Sequence, residues 1–277
     1  MKKNKLIAPF LKWVGGKRQL MPAINKILPK NYTTYYEPFI GGGAVLFNIQ
    51  PKKAVINDFN EELINVYKVI KNNPEELILD LQIHKNESDY FYDIRALDRE
   101  QNFNDLSNIK KASRIIFLNK TCFNGLYRVN NSGEFNSPFG KYKNPNIVNE
   151  TTIRAVSNYM NNNDITLLNG DFEDAVKGIR KGAFVYFDPP YHPISQSSNF
   201  TGYVQGGFNM FDQVRLRDLC IKLDSKGVKF LLSNSATPLI QDLYRDFNIE
   251  YVKANRSINS NAKKRGAIDE VLIRNYE

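Results

Sequence analysis

Hydrophobic and polar positions follow two regimes along this chain, with strand-like runs at both ends and helical periodicity between them. Tyr35-Tyr36-Glu37-Pro38-Phe39 leads into Gly41-Gly42-Gly43, after which Ala44-Val45-Leu46-Phe47-Asn48 reads as a helix start. Ala54-Val55-Ile56-Asn57, ending at Asp58, reads as a second buried parallel strand, so the first 60 residues predict a βαβ unit. Beyond residue 60 apolar positions recur at helical spacing near 61–72, 74–86, 89–99 and 108–122. Residues 123–143 mix turn formers with short β-prone runs, and Asn130-Asn131-Ser132-Gly133 is placed as a hairpin tip. Strand-like runs return at Ile165–Leu168, Ala183–Phe187, Lys229–Ser233, Glu250–Ala254 and Glu270–Arg274, with helical stretches at Asp212–Asp224 and Pro238–Phe247. The simplest topology is one α/β domain built from residues 1–60 and 161–277, interrupted by a helical and hairpin insertion over 61–160. No repeat, low-complexity tract or long linker separates the parts.

Composition narrows the picture. The 277 residues exceed the roughly 150 typical of one domain, which allows two domains or one with a large insertion. With 42 % hydrophobic and 24 % charged residues, and no apolar run near the roughly 18 residues that a membrane span needs, the chain reads as a soluble protein. No apolar stretch of a secretory signal follows the basic start, so the expected location is the cytoplasm. Two cysteines and two histidines fit neither a disulfide framework nor a paired metal-ligand spacing, and no metal is expected.

Charge is unevenly placed. Residues 2–30 hold eight Lys or Arg and no acid, residues 110–143 seven against one acid, and residues 253–265 five against none. These segments carry +19 in a chain whose net charge is +9, so the remainder is acidic. Such concentration points to a polyanion-binding surface; the plainer alternative is three unrelated solvated faces.

Two places could carry chemistry. At Gly41–Gly43 the missing Cβ atoms would let a ligand approach the backbone, and the following helix start would offer N–H groups. Asp58, 15 residues past Gly43, would end the next strand, where a carboxylate can accept from both hydroxyls of a ribose. Leu46 stands where the last glycine of a dinucleotide fingerprint would fall, which speaks against a dinucleotide.

The second place is Asp188-Pro189-Pro190-Tyr191, directly after the apolar strand 183–187 and therefore at a carboxyl strand end. Prolines stiffen the backbone and donate no hydrogen bond, which leaves carbonyls as free acceptors beside the carboxylate. A planar exocyclic amine is what two such acceptors suit. Accepting its N–H groups outside the ring plane favours a tetrahedral, nucleophilic nitrogen, and the carboxylate stabilises the positive charge that develops there. Tyr191 would stack on the ring. The plainer alternative is a rigid turn with a capping Asp and a packed Tyr.

Together with Lys12-Trp13-Val14-Gly15-Gly16-Lys17, Glu37–Gly43 and Asn124-Gly125-Leu126-Tyr127-Arg128, the Asp-Pro-Pro-Tyr block resembles the Dam family of DNA adenine-N6 methyltransferases. Within that family the similarity is to the GATC-specific modification methylases of the DpnII type, and it runs over nearly the whole chain. The resemblance implies a Rossmann-like S-adenosylmethionine-dependent methyltransferase sheet with a target-recognition insertion, acting on double-stranded DNA by base flipping. It implies Trp13, Lys17, Phe39, Gly41, Gly43, Asp58, Asp171 and Asp188 as cofactor contacts, and Asp188, Pro189, Pro190 and Tyr191 as the catalytic block. It further implies Lys12 and Arg128 on guanines, Phe123 and Asn124 wedged at the extruded adenine, and Leu126 and Pro138 near thymine. For Lys12 and Arg128 plain phosphate attraction is the alternative, and for Phe123 core packing. The segment Asn199–Tyr203 resembles a family loop, while His192 matches no family role. A partner restriction endonuclease is compatible with the resemblance, and the oligomeric state is not readable. An RNA-base methyltransferase and a noncatalytic nucleic-acid-binding protein are the rival functions.

Overall fold

A computed structural model describes residues 3–13, 15–17, 19–194, 207–255 and 267–277. Segment 199–203 and most of the basic stretch 253–265 lie outside the described residues. The elements in order are α1 (Met21–Ile27), β1 (Tyr35–Glu37), α2 (Ala44–Ile49), β2 (Lys53–Asp58), α3 (Glu61–Asn72), α4 (Pro74–Ile83), α5 (Ser88–Ala96) and α6 (Asn108–Thr121). They continue with α7 (Glu150–Asn161), β3 (Asp164–Asn169), β4 (Phe184–Phe187), α8 (Met210–Ser225), β5 (Lys229–Ser235), α9 (Pro238–Leu243), β6 (Asn248–Asn255) and β7 (Ala267–Arg274).

The strands form one seven-stranded sheet in the order β3-β2-β1-β4-β5-β7-β6. All neighbours pair in parallel until β7, which runs antiparallel to both β5 and β6. Phe184, Val185, Tyr186 and Phe187 are all buried, as a central parallel strand covered on both faces requires. Chain order reverses between β1 and β4. Connections leave the sheet in opposite directions there, which opens a crevice at the carboxyl ends of these two strands.

Helices α3 to α6, the loop structure after them and α7 all lie between β2 and β3 in sequence. Their boundaries follow local chemistry. Asn60 caps α3 by accepting from the Leu63 N–H, with Glu61 and Glu62 in the first turn and Lys71 in the last. Ser107 caps α6 through the Lys110 N–H. The helix expected over 74–86 stops at Ile83 because His84 turns extended, and the one over 89–99 tightens into a 3-10 turn at Leu97. The one over 238–247 ends at Leu243. The β-prone runs of 123–143 pair only as isolated bridges, Cys122 with Phe139 and Val129 with Phe135, rather than as a ladder. The tip at 130–133 does form, with the Asn130 Oδ1 accepting from the Ser132 and Glu134 N–H groups.

Candidate active site

Strand β4 ends at Phe187, so Asp188 emerges at the open crevice beside the end of β1. Lys17, from the segment before α1, reaches it: Nζ lies 2.7 Å from Asp188 Oδ1, donates to the Gly15 carbonyl and sits 4.7 Å from the centre of the Tyr191 ring. Ser233 on β5 donates to the same Oδ1 at 3.0 Å. No donor among the described residues reaches Oδ2. Burial raises the Asp188 pKa above the usual carboxylate range, and Lys17 and then Ser233 oppose that rise. The Tyr191 hydroxyl donates to Glu270 Oε2 at 3.0 Å, which fixes the ring over the lysine.

The corner is also held from behind. Three consecutive buried residues of β5 do this: Ser233 on the carboxylate, Asn234 accepting from the His192 N–H at 3.0 Å, and Ser235 donating to the His192 carbonyl. Gln213 on α8 donates to the Pro190 carbonyl at 3.1 Å while its own Oε1 accepts from Asn234. This corrects the expectation that both proline carbonyls stand free. Only that of Pro189 has no donor among the described residues, because Gln213 is spent on fixing the turn. A run of polar residues ending a buried apolar strand was the signal for Ser233, Asn234 and Ser235.

Asp58 ends β2 as expected, but the glycine turn serves it differently. The Gly41 N–H donates to Asp58 Oδ2 and the Asn60 N–H to Oδ1, both at 3.0 Å, so the Gly41 amide is not a free donor for a ligand. A carboxylate keeps further lone pairs after accepting two bonds. Burial pushes the Asp58 pKa up to about 6 against those bonds. Trp13 lies across the turn, since a Cβ on Gly41 would stand 2.8 Å from its ring. Gly43, at φ 71°, leaves no room for a side chain either: its Cβ would lie 2.6 Å from the Tyr67 hydroxyl and 2.7 Å from the Phe47 ring. Phe39 stacks on Phe172 with ring centres 5.4 Å apart, next to Asp171, whose Oδ1 accepts from Arg215 at 2.9 Å. Glu37, fully buried beneath the crevice, is pushed well above the carboxylate range by burial despite the Tyr35 hydroxyl it accepts from. Phe59, next to Asp58, is exposed.

The residues expected to meet DNA gather around the N-terminal segment. Phe123 is 54 % exposed, Asn124 adopts φ 58°, and the Phe123 N–H donates to the Pro138 carbonyl at 2.8 Å. Leu126 gives its carbonyl to the Ser137 hydroxyl. Arg128 donates from Nε to Asn136 Oδ1 at 2.6 Å and from a terminal nitrogen to the Asn136 carbonyl at 3.1 Å. Lys12, exposed, places Nζ 5.0 Å from the centre of the Tyr142 ring. Trp13 stacks on Tyr127 at 4.9 Å, so a residue expected at the cofactor packs against the segment expected to meet DNA. Among the described residues no cluster of three or more His, Cys, Asp or Glu could hold a metal, and no helix is long and apolar enough to cross a membrane.

A sheet in the order 3-2-1-4-5-7-6, with an Asp-Pro-Pro-Tyr corner and a strand-end aspartate at its switch point, is a Rossmann-like methyltransferase fold. The chain belongs to the D12 class N6 adenine-specific DNA methyltransferases, whose sequence model matches residues 13–258. It is 50 % identical to the Type II methyltransferase M1.LlaDCHI of Lactococcus lactis subsp. cremoris, over 100 % of this chain and 98 % of that protein. It is 44 % identical to the Type II methyltransferase M.MjaIII of Methanocaldococcus jannaschii (98 % and 99 %) and 35 % identical to the DNA adenine methylase of Serratia marcescens (98 % of each). The protein is thus a DNA adenine-N6 methyltransferase, which sets aside the RNA-base and noncatalytic readings.

Proposed function

We propose that this enzyme takes the adenine of GATC out of the duplex and methylates its N6 with S-adenosylmethionine, as the modification partner of a restriction endonuclease. The observation that carries the reading is the asymmetric loading of Asp188: Lys17 and Ser233 both occupy Oδ1, and no described donor occupies Oδ2. An adenine amine can then donate one N–H to Oδ2 and the other to the Pro189 carbonyl. Lys17 opposes the effect of burial on the carboxylate and so favours the ionised form that an acceptor and stabiliser of positive charge needs. Tyr191, held by Glu270, stacks on the base.

The donor set suits the cofactor. Asp58 has lone pairs left for ribose hydroxyls, Asp171 would border the adenine side, and the Phe39–Gly43 loop with Trp13 and Lys17 would border the methionine side. When bound, S-adenosylmethionine supplies an electrophilic methyl carbon on a sulfonium that leaves as a neutral thioether. The chain's part is alignment of the amine for in-line attack, and water takes the proton that N6 sheds. Phe123 and Asn124, exposed at a left-handed turn, fill the space the adenine leaves. Lys12 and Arg128 read guanine O6 and N7, and Leu126 and Pro138 border the thymine. Residues 1–60 and 161–277 serve as the catalytic part and 61–160 as the recognition part. The nuclease partner is supported by the relatives named Type II methyltransferases.

The test is transfer of tritiated methyl from S-adenosylmethionine to duplexes that differ by one base of GATC. Label in the GATC duplex alone is the expected result. Equal label in both overturns the specificity, and label that does not reside on adenine N6 overturns the chemistry.

A further inference from the structure

Asn119 is fully buried near the end of α6, directly after the buried Phe117 and Leu118, where a polar amide needs partners. It has them all in two other segments. Its Oδ1 accepts from the Lys12 N–H at 2.9 Å, and its Nδ2 donates to the Lys12 carbonyl at 2.7 Å and to the Gly125 carbonyl at 3.1 Å. One side chain thereby satisfies both backbone groups of Lys12 and ties them to the turn that carries Phe123 and Asn124. The two segments are also in van der Waals contact: a Cβ on Gly125, which sits at φ 63°, would lie 2.5 Å from the Lys12 side chain. One residue past Lys12 and two past Gly125, Trp13 stacks on Tyr127. Trp13 also lies against Gly41 and Gly42.

We propose that Asn119 is a positioning residue that locks the cofactor-side segment Lys12–Trp13 to the base-reading turn at Gly125, so that occupancy of either site favours the other. The inference rests on the assignment of Trp13 to the cofactor and of Lys12 and Asn124 to the bases. Its physical basis is that a base contact displacing the 123–125 turn must move Lys12 and Trp13 with it. A cofactor seated on Gly41–Gly43 and Trp13 holds that segment, and through Asn119 the turn, in place, so that the base meets a turn already positioned. Such coupling is reciprocal and commonly 5- to about 150-fold in affinity.

The experiment measures binding of tritiated S-adenosylhomocysteine to the full chain by equilibrium dialysis, alone, with saturating GATC duplex, and with a duplex altered at one guanine. In the wild-type enzyme the GATC duplex is expected to tighten binding by about tenfold or more, and the altered duplex by much less. Asn119→Asp keeps the acceptor but loses both donors, and is expected to bring the ratio below about twofold. Gly125→Ala disturbs the same junction from the turn side and is expected to do likewise, so the outcome does not depend on one variant folding. Emission from Trp13, the single tryptophan of the chain, gives a direct signature: GATC duplex should change it in wild-type and not in Asn119→Asp. A merely structural amide would weaken binding with and without DNA alike. An unchanged ratio in both variants, or a wild-type ratio near one, overturns the proposal. Methyl labelling of the same GATC duplex separates the failures: label with an unaltered ratio sinks the coupling alone, whereas no label sinks the underlying assignment and the coupling with it.

Discussion

The two ends of the reaction are built in opposite ways. At the Asp-Pro-Pro-Tyr corner, Lys17, Ser233, Asn234, Ser235, Gln213 and Glu270 fix the backbone and side chains before any ligand arrives. At the turn proposed to meet DNA the backbone is fixed, yet the side chains proposed to read bases are exposed or held only by local bonds, as Arg128 is by Asn136. The difference follows from what each must do. Stabilising charge on a reacting nitrogen works best with groups that need no reorganisation, whereas a base reader must exchange its resting partners for base edges. Variants at the corner should therefore act on rate, and variants at the turn on discrimination and base extrusion.

The largest effect is expected at Asp188. Asp188→Ala removes the acceptor of the amine and leaves Lys17 without its carboxylate, so kcat for methyl incorporation should fall by at least about 10²–10³. Survival of near-normal incorporation would show that the corner does not do the chemistry. Asp58 should act on binding instead. A carboxylate bond to a ligand is worth about 1.5–3 kcal/mol, so Asp58→Asn should raise the S-adenosylmethionine Kd by about 10- to 100-fold with a smaller change in kcat. The pH dependence has a definite sign. Burial raises the Asp58 pKa to about 6, so the ionised form that accepts from hydroxyls is lost as pH falls through about 6 and gained as it rises. Cofactor affinity of the wild-type enzyme should weaken below that pH, and the slope should vanish in Asp58→Asn; titrations at pH 5 to 8 check both.

Why one half of this contrast could be read from sequence and the other not is a matter of range. Strand β4 and its Asp188 are contiguous, and the apolar run 183–187 followed by Asp188 and two prolines marks a buried strand ending at a carboxyl edge. The partners of Asp188 come from elsewhere: Lys17 from before the first strand and Ser233 from the next one. No periodicity relates such positions, and Lys17 entered the site only through the family resemblance. Helix α7 carries Ile153, Val156 and Met160 at helical spacing, but flanking asparagines give that stretch the composition of a loop. The place of β7 between β5 and β6 was hidden because alternation reports a strand's faces, never its neighbours. Asn119 carries no signal in the sequence, because its partners at Lys12 and Gly125 come from segments that no periodicity relates to it.

Arg128 tests the other half of the comparison at intermediate size. Because Asn136 already satisfies two of its donors, the guanidinium gains from a guanine only what exceeds that resting arrangement, about 1–3 kcal/mol of discrimination. Arg128→Ala should relax preference at one guanine by that amount, read as the ratio of kcat/KM between duplexes altered at that position. Uniform weakening on every duplex would make it a phosphate contact instead.

The smallest effect on the protein itself is expected at Phe123, and it separates folding from function most cleanly. With 54 % of its surface exposed, the ring contributes little to the core, so Phe123→Ala should change stability by no more than about 0.5 kcal/mol in a denaturant titration. Its work, on the proposed reading, lies in the duplex: the ring replaces the stacking that the adenine loses. With 2-aminopurine in place of that adenine, the fluorescence gain that reports unstacking should shrink in the variant while duplex affinity changes less, since the cationic contacts remain. A loss of stability well above that amount, with full 2-aminopurine fluorescence, would make Phe123 a packing residue after all and move the extruding element elsewhere on the turn.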